Sequence, residues 1–105
     1  MAGKNVVYKE NEVLFEEGDA ANGMFLVRSG KIKIFQRKDG QEVTLAFLDQ
    51  GTIVGEMAFF ENKARSASVK AVEKSEVTMI DNTDFNKMLK QIPAWFVIMM
   101  RALSG

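Results

Sequence analysis

Polar and hydrophobic positions alternate most clearly in Lys31-Ile32-Lys33-Ile34, where a period of two puts lysines on one face of a strand and isoleucines on the other. Short runs rich in Val, Ile, Phe and Leu recur around it, divided by Gly18, Gly30, Gly40 and Gly51. Their spacings of 12, 10 and 11 residues fit an all-β sandwich or barrel better than alternating strands and helices. The pattern predicts strands near Val6–Tyr8, Val13–Phe15, Met24–Ser29, Lys31–Gln36, Val43–Leu48, Ile53–Val54, Ser68–Ala71 and Val77–Ile80. Asp39-Gly40 marks a hairpin, because glycine takes positive φ without steric cost. The expected fold is mainly β, an eight-stranded jelly-roll β-sandwich with short flanking helices and a C-terminal helix pair.

After residue 81 the period changes. Phe85, Met88, Leu89 and Ile92 stand at i, i+3, i+4 and i+7, one face of a helix. Asn82 or Thr83 is expected to cap its start, with Asp84 favouring the positive end of its dipole. Pro93 interrupts and suits the first turn of a second helix, Ala94–Leu103. That helix is apolar nearly all round, so the sandwich can cover only one of its sides. Its other side is expected to meet a second copy, an effector domain or a segment this chain lacks, with Trp95 as an anchor there rather than a base-stacking platform. The methionines Met88, Met99 and Met100 belong to the same expected packing.

At 105 residues the chain is one domain, 1–105, with the β-roll over about 6–81 and the terminal helices over about 82–104. Fourteen basic residues balance fourteen acidic ones, which argues against nucleic-acid binding. The chain has no cysteine and no histidine. Thiolate nucleophiles, disulfides, His-ligated metals and the commonest general base near neutral pH are thereby excluded, and a binding module is expected in place of an enzyme. The N-terminus lacks the apolar core of a secretory signal, and the longest apolar stretch, Ala94–Met100, is too short to cross a bilayer. A cytoplasmic location is the expectation. The basic run Arg28, Lys31, Lys33, Arg37 and Lys38 reads as the solvated face of an edge-exposed hairpin.

The segment Gly51–Ala67 carries the chemistry. Met57–Glu61 is long enough for one or two helical turns between two β-like pieces. Gly55 before it lets backbone approach a ligand closely, and a helix start presents free N–H groups to an anion. Arg65 supplies a permanently charged fork matched to phosphate oxygens, and Ser66 adds a hydroxyl. Glu56 fits a ligand that also carries hydroxyls needing an acceptor, as a ribose does.

The pattern Gly55-Glu56-x-Ala58, then Arg65-Ser66-Ala67, resembles the phosphate-binding cassette of cyclic nucleotide-binding domains, the family of bacterial catabolite activator proteins and of cyclic AMP-dependent kinase regulatory subunits. Phe15-x-x-Gly18-Asp19 and Phe25-Leu26-Val27-x-Ser29-Gly30-Lys31-Ile32 match the family's early turn and central hairpin, while Phe85 and Pro93 match its closing helices. The resemblance implies a regulatory domain whose ligand is a 3′,5′-cyclic nucleotide, with no further cofactor. It assigns Glu56 to the ribose 2′-hydroxyl, Arg65 to the cyclic phosphate, and Ser66 to a phosphate or purine contact. The N–H groups of Met57 and Ala58 would complete the phosphate cradle behind Gly55, and Val54 and Ala67 would line the sugar. Members that favour cyclic GMP often carry Thr after the Arg; Ser66 implies cyclic AMP. Asn62 stands where many members have a left-handed Gly, and Ala64 where a Pro is common. The family's last helix continues as a lid, and here it is expected to stop about a third of the way along. The alternative is a structural or dimerisation jelly roll that keeps the fold and binds no nucleotide.

Overall fold

A computed structural model describes residues 3–104, with Val97 and Ser104 in backbone only. The strands are β1 (Lys4–Tyr8), β2 (Val13–Phe15), β3 (Gly23–Ser29), β4 (Lys31–Lys38), β5 (Gln41–Asp49), β6 (Ile53–Val54), β7 (Ser68–Ala71) and β8 (Ser75–Asp81). They form two antiparallel four-stranded sheets, β1-β8-β3-β6 and β2-β7-β4-β5. Between the sheets lie Phe25, Val27, Val54 and Val77 from the first and Ile32 and Val69 from the second, all buried. A mainly β sandwich of eight strands is thus in place, with helices α1 (Glu56–Glu61), α2 (Asn82–Leu89) and α3 (Ala94–Ser104).

A second, smaller cluster sits on the other side of the first sheet, where Met24 and Ile80 are cross-strand partners. Strand alternation turns them away from Phe25 and towards the helices, and they meet Phe59 of α1 and Phe85 of α2. Three edge-to-face contacts bind this cluster: Phe59–Phe60 at 5.4 Å, Phe59–Phe85 at 5.8 Å and Phe60–Phe85 at 5.2 Å between ring centroids. The cassette helix and the first terminal helix therefore share one aromatic contact.

Three expectations change. The cap of α2 is Asp81, whose carboxylate accepts from the Asp84 N–H at 2.8 Å while Asp84 accepts from the Asp81 N–H at 3.2 Å. This reciprocal capping box satisfies two backbone donors, which a cap at Asn82 or Thr83 would not. The face predicted through Ile92 is shorter, because α2 ends at Leu89 and residues 90–92 turn towards Pro93.

The third change concerns the lysine hairpin. β4 is interior and β5 is the edge. Lys33 lies directly opposite Lys70 of β7, and Glu42 at the edge relieves the repulsion with Nζ–Oε distances of 3.6 Å to Lys33 and 2.7 Å to Lys70. The hydrogen bond from Lys70 holds the Glu42 carboxyl below its usual range. Phe35 shares this outer face and is only 1% exposed, with Lys33, Arg37 and Lys70 at 5.8, 5.3 and 5.1 Å from its ring centre. Its aromatic face meets cations, not solvent.

α3 stays uncovered along its described residues: Trp95 is 64% exposed and Leu103 83%, with Ile98, Met99 and Met100 exposed between them. The side chain of Val97 lies outside the described residues.

Candidate functional site

Gly55 opens α1 with φ 79° and ψ 12°, a left-handed conformation that favours glycine. A second constraint acts at the same residue. A Cβ placed there would lie 2.5 Å from Nη1 of Arg65 and 3.2 Å from Cε2 of Phe15, so the guanidinium and the ring occupy the space a side chain would need. At the far end of α1, Asn62 takes φ 54° and ψ 46°, and its N–H returns to the carbonyls of Ala58 and Phe59. Asparagine tolerates this C-terminal left-handed cap, which fixes where the chain leaves the helix towards Arg65.

The backbone of Arg65 is tied to the loop after β2. Its N–H donates to the Asp19 carbonyl at 2.8 Å, and its carbonyl accepts from the Gly18 N–H at 2.8 Å. Its side chain turns inward and is 5% exposed. Nη1 donates to the Gly55 carbonyl at 2.6 Å, Nη2 donates to the Gly23 carbonyl, and the guanidinium carbon lies 4.0 Å from the centre of the Phe15 ring. Nε is buried and has no hydrogen-bond partner among the described residues. Burial pushes the guanidinium below its ordinary pKa, with the Asp19 carboxylate acting in the opposite direction; arginine nevertheless remains a cation in proteins. A buried charge with an unused donor is costly unless something anionic or hydrogen-bonding meets it.

Arg65 faces a cavity of about 370 Å³. Val54, Gly55, Glu56, Met57, Ala58, Arg65, Ser66 and Ala67, the eight residues singled out in the sequence, all line it. Strand β6, helix α1 and the turn into β7 bring them together. Glu56 and Arg65, nine positions apart in the chain, border the same space, one at the head of α1 and one at the entry to β7. Ser66 is exposed, and its carbonyl accepts from Gln36 Nε2 at 2.9 Å, which ties the end of the cassette to β4.

The cavity also has walls that the motif did not identify: Phe15, Ile34, Leu48, Thr52, Ile53 and Val69. Ile34 and Val69 were legible as inward positions of strands, and Ile32↔Leu48 pairing puts Leu48 on the same inner face. The Gly23 carbonyl had no sequence signal, because a backbone oxygen 42 residues from Arg65 leaves no mark in residue type. Chemically, the arrangement offers one fixed cation, one carboxylate and an apolar wall, a combination suited to a small anion that also carries hydroxyls and a flat apolar part.

A family model described as the cyclic nucleotide-binding domain matches residues 5–92. The cyclic AMP receptor protein of Thermus thermophilus is 35% identical over 88 residues, covering 83% of this chain and 41% of that protein. The chain thus spans about two fifths of that relative's length. Among solved structures, the half-site-occupied form of the EAL enzyme Bd1971 superposes with a TM-score of 0.90 at 30% identity, covering 97% of this chain and 92% of that one. Structures of Bd1971 bound to cyclic AMP and to cyclic GMP superpose with TM-scores of 0.76 and 0.77 at 30% identity, over 95% of this chain and 27% of theirs.

Proposed function

This chain belongs to the cyclic nucleotide-binding domain family, and we propose that its cavity binds a 3′,5′-cyclic nucleotide, cyclic AMP in preference to cyclic GMP, without transforming it. The observation that carries the reading is Arg65: a buried cation, anchored by two carbonyls, with an unpartnered Nε beside a cavity that Glu56 also lines. In this reading Arg65 holds the cyclic phosphate, helped by the first-turn N–H groups of Met57 and Ala58. Glu56 accepts from the ribose 2′-hydroxyl, Ser66 adds a hydroxyl near the phosphate or purine, and Val54 and Ala67 border the sugar. Each hydrogen bond to a charged partner contributes about 1.5–3 kcal/mol. The preference for cyclic AMP rests on Ser66 standing where members that favour cyclic GMP often have Thr.

Binding is relayed through the terminal helices by differential contact, since a ligand shifts an equilibrium only by favouring one arrangement. What supports this step is the Phe59–Phe60–Phe85 cluster, which joins the helix at the ligand to the helix that leads to Pro93.

Calorimetric titration with cyclic AMP and cyclic GMP tests the reading. Saturable binding that Arg65→Ala weakens by at least about tenfold supports it. Because that variant also removes the donor that the Gly55 and Gly23 carbonyls accept from, Arg65→Lys serves as a second variant, keeping the charge without the fork. No binding of either nucleotide to the unaltered chain overturns it. The exposed Trp95, Ile98 and Leu103 of α3 favour a second reading, a self-associating module. Its mark is a melting temperature that rises with protein concentration and ignores nucleotides.

A further inference from the structure

We infer that Phe15 is a positioning residue for Arg65, holding the plane of its guanidinium at the cavity where the anion binds; this rests on the cyclic nucleotide reading above. The two carbonyls that Arg65 bonds, Gly55 and Gly23, fix directions within the guanidinium plane. Neither restrains rocking about the line that joins them. The face of the Phe15 ring does, with its centre 4.0 Å from the guanidinium carbon. The backbone of Gly55 closes in on both groups, since a Cβ there would touch Nη1 and the Phe15 ring together.

Phe15 is itself immobilised. It ends β2, pairs with Val69 of β7, and lies tilted against Phe25 with ring centres 5.7 Å apart. Phe25 belongs to the buried core between the sheets, so the stack transfers the rigidity of the core to a cation at the cavity. The ring also offsets part of the cost of burying that cation, because its negative face attracts charge most strongly where water is excluded. A leucine of similar bulk fills the volume and supplies neither the face nor the attraction.

The test uses the full chain with phenylalanine at position 15 replaced site-specifically by its mono-, di- and trifluoro analogues, which keep the shape and progressively cancel the ring's negative face. The expected result is a stepwise loss of cyclic AMP affinity reaching about tenfold at three fluorines, with the melting temperature of the free protein lowered by several degrees as the attraction that offsets burial of the cation fades. Phe15→Leu is expected to match the trifluoro form. Affinity that stays within about twofold across the series overturns the inference. A side-chain ¹⁵N–¹H spectrum provides a readout independent of nucleotide: the Arg65 Nε–H resonance is expected to carry an aromatic ring-current shift that Phe15→Leu removes. An unshifted resonance overturns the positioning role even in a chain that binds cyclic AMP. If the unaltered chain binds no cyclic nucleotide, the functional reading falls, and the resonance alone decides whether Phe15 positions Arg65.

Discussion

Nη1 of Arg65 donates to the carbonyl of Gly55 across the space that a Cβ at position 55 would fill. A single residue thus supplies the left-handed start of α1, an acceptor for the buried cation, and the room that cation occupies. The two halves of the motif are locked to each other before any ligand is considered.

Gly55→Ala follows directly from this relationship. The new methyl group must displace the guanidinium or the Phe15 ring, and the left-handed backbone costs a non-glycine residue about 1–2 kcal/mol. The expected outcome is a lower midpoint in urea denaturation together with cyclic AMP affinity reduced by at least about tenfold. Wild-type affinity in this variant would separate Gly55 from the site.

Glu56→Gln tests the ribose assignment through the ligand. The unaltered chain is expected to bind cyclic AMP at least about tenfold more tightly than its 2′-deoxy analogue, since the carboxylate loses a hydroxyl partner. In the variant that ratio is expected to shrink towards one. A ratio unchanged by the substitution would assign the hydroxyl to another group.

Asp84→Asn gives a pH signature. The Asp81 N–H holds the Asp84 carboxyl below its usual value. A folded-state pKa below the unfolded one contributes stability that is present above the unfolded value and lost as pH falls through the folded value. The unaltered chain is therefore expected to exceed the variant in stability at neutral pH, and the difference is expected to fade as pH drops below about 4. Denaturation midpoints measured at three pH values check the trend; a difference that grows on acidification contradicts it.

Phe85→Leu addresses the relay. It removes two edge-to-face contacts to α1, a loss of about 1 kcal/mol in stability. Saturating cyclic AMP is expected to change amide exchange in residues 82–92 of the unaltered chain, and to change it much less in the variant. Exchange in this segment that ignores the ligand in both proteins sinks the relay.

The strands were legible because a half-buried sheet imposes a period of two, and five of the eight kept the predicted C-terminal boundary. Val13–Phe15, Ile53–Val54 and Ser68–Ala71 occupy the residues the alternation indicated. Phe35 escaped that reading: its parity puts it on the outer face, yet three cationic side chains around its ring leave it buried. The cap of α2 lies one residue before Asn82 and two before Thr83, because Asp81, Asn82 and Thr83 are all competent N-caps and only the reciprocal bond with Asp84 selects among them.

Residue type and spacing alone determined the sheet segments, the helix pair around Pro93 and the candidates Gly55, Glu56, Arg65 and Ser66, because hydrophobic period, turn chemistry and charged forks are local properties of the chain; the family resemblance added Val54, Met57, Ala58 and Ala67. Tertiary structure alone decided that Arg65 lies inside, held by the carbonyls of Gly23 and Gly55 and the ring of Phe15. Backbone oxygens carry no identity in a sequence, and a ring fifty positions away becomes a neighbour only when β2 pairs with β7.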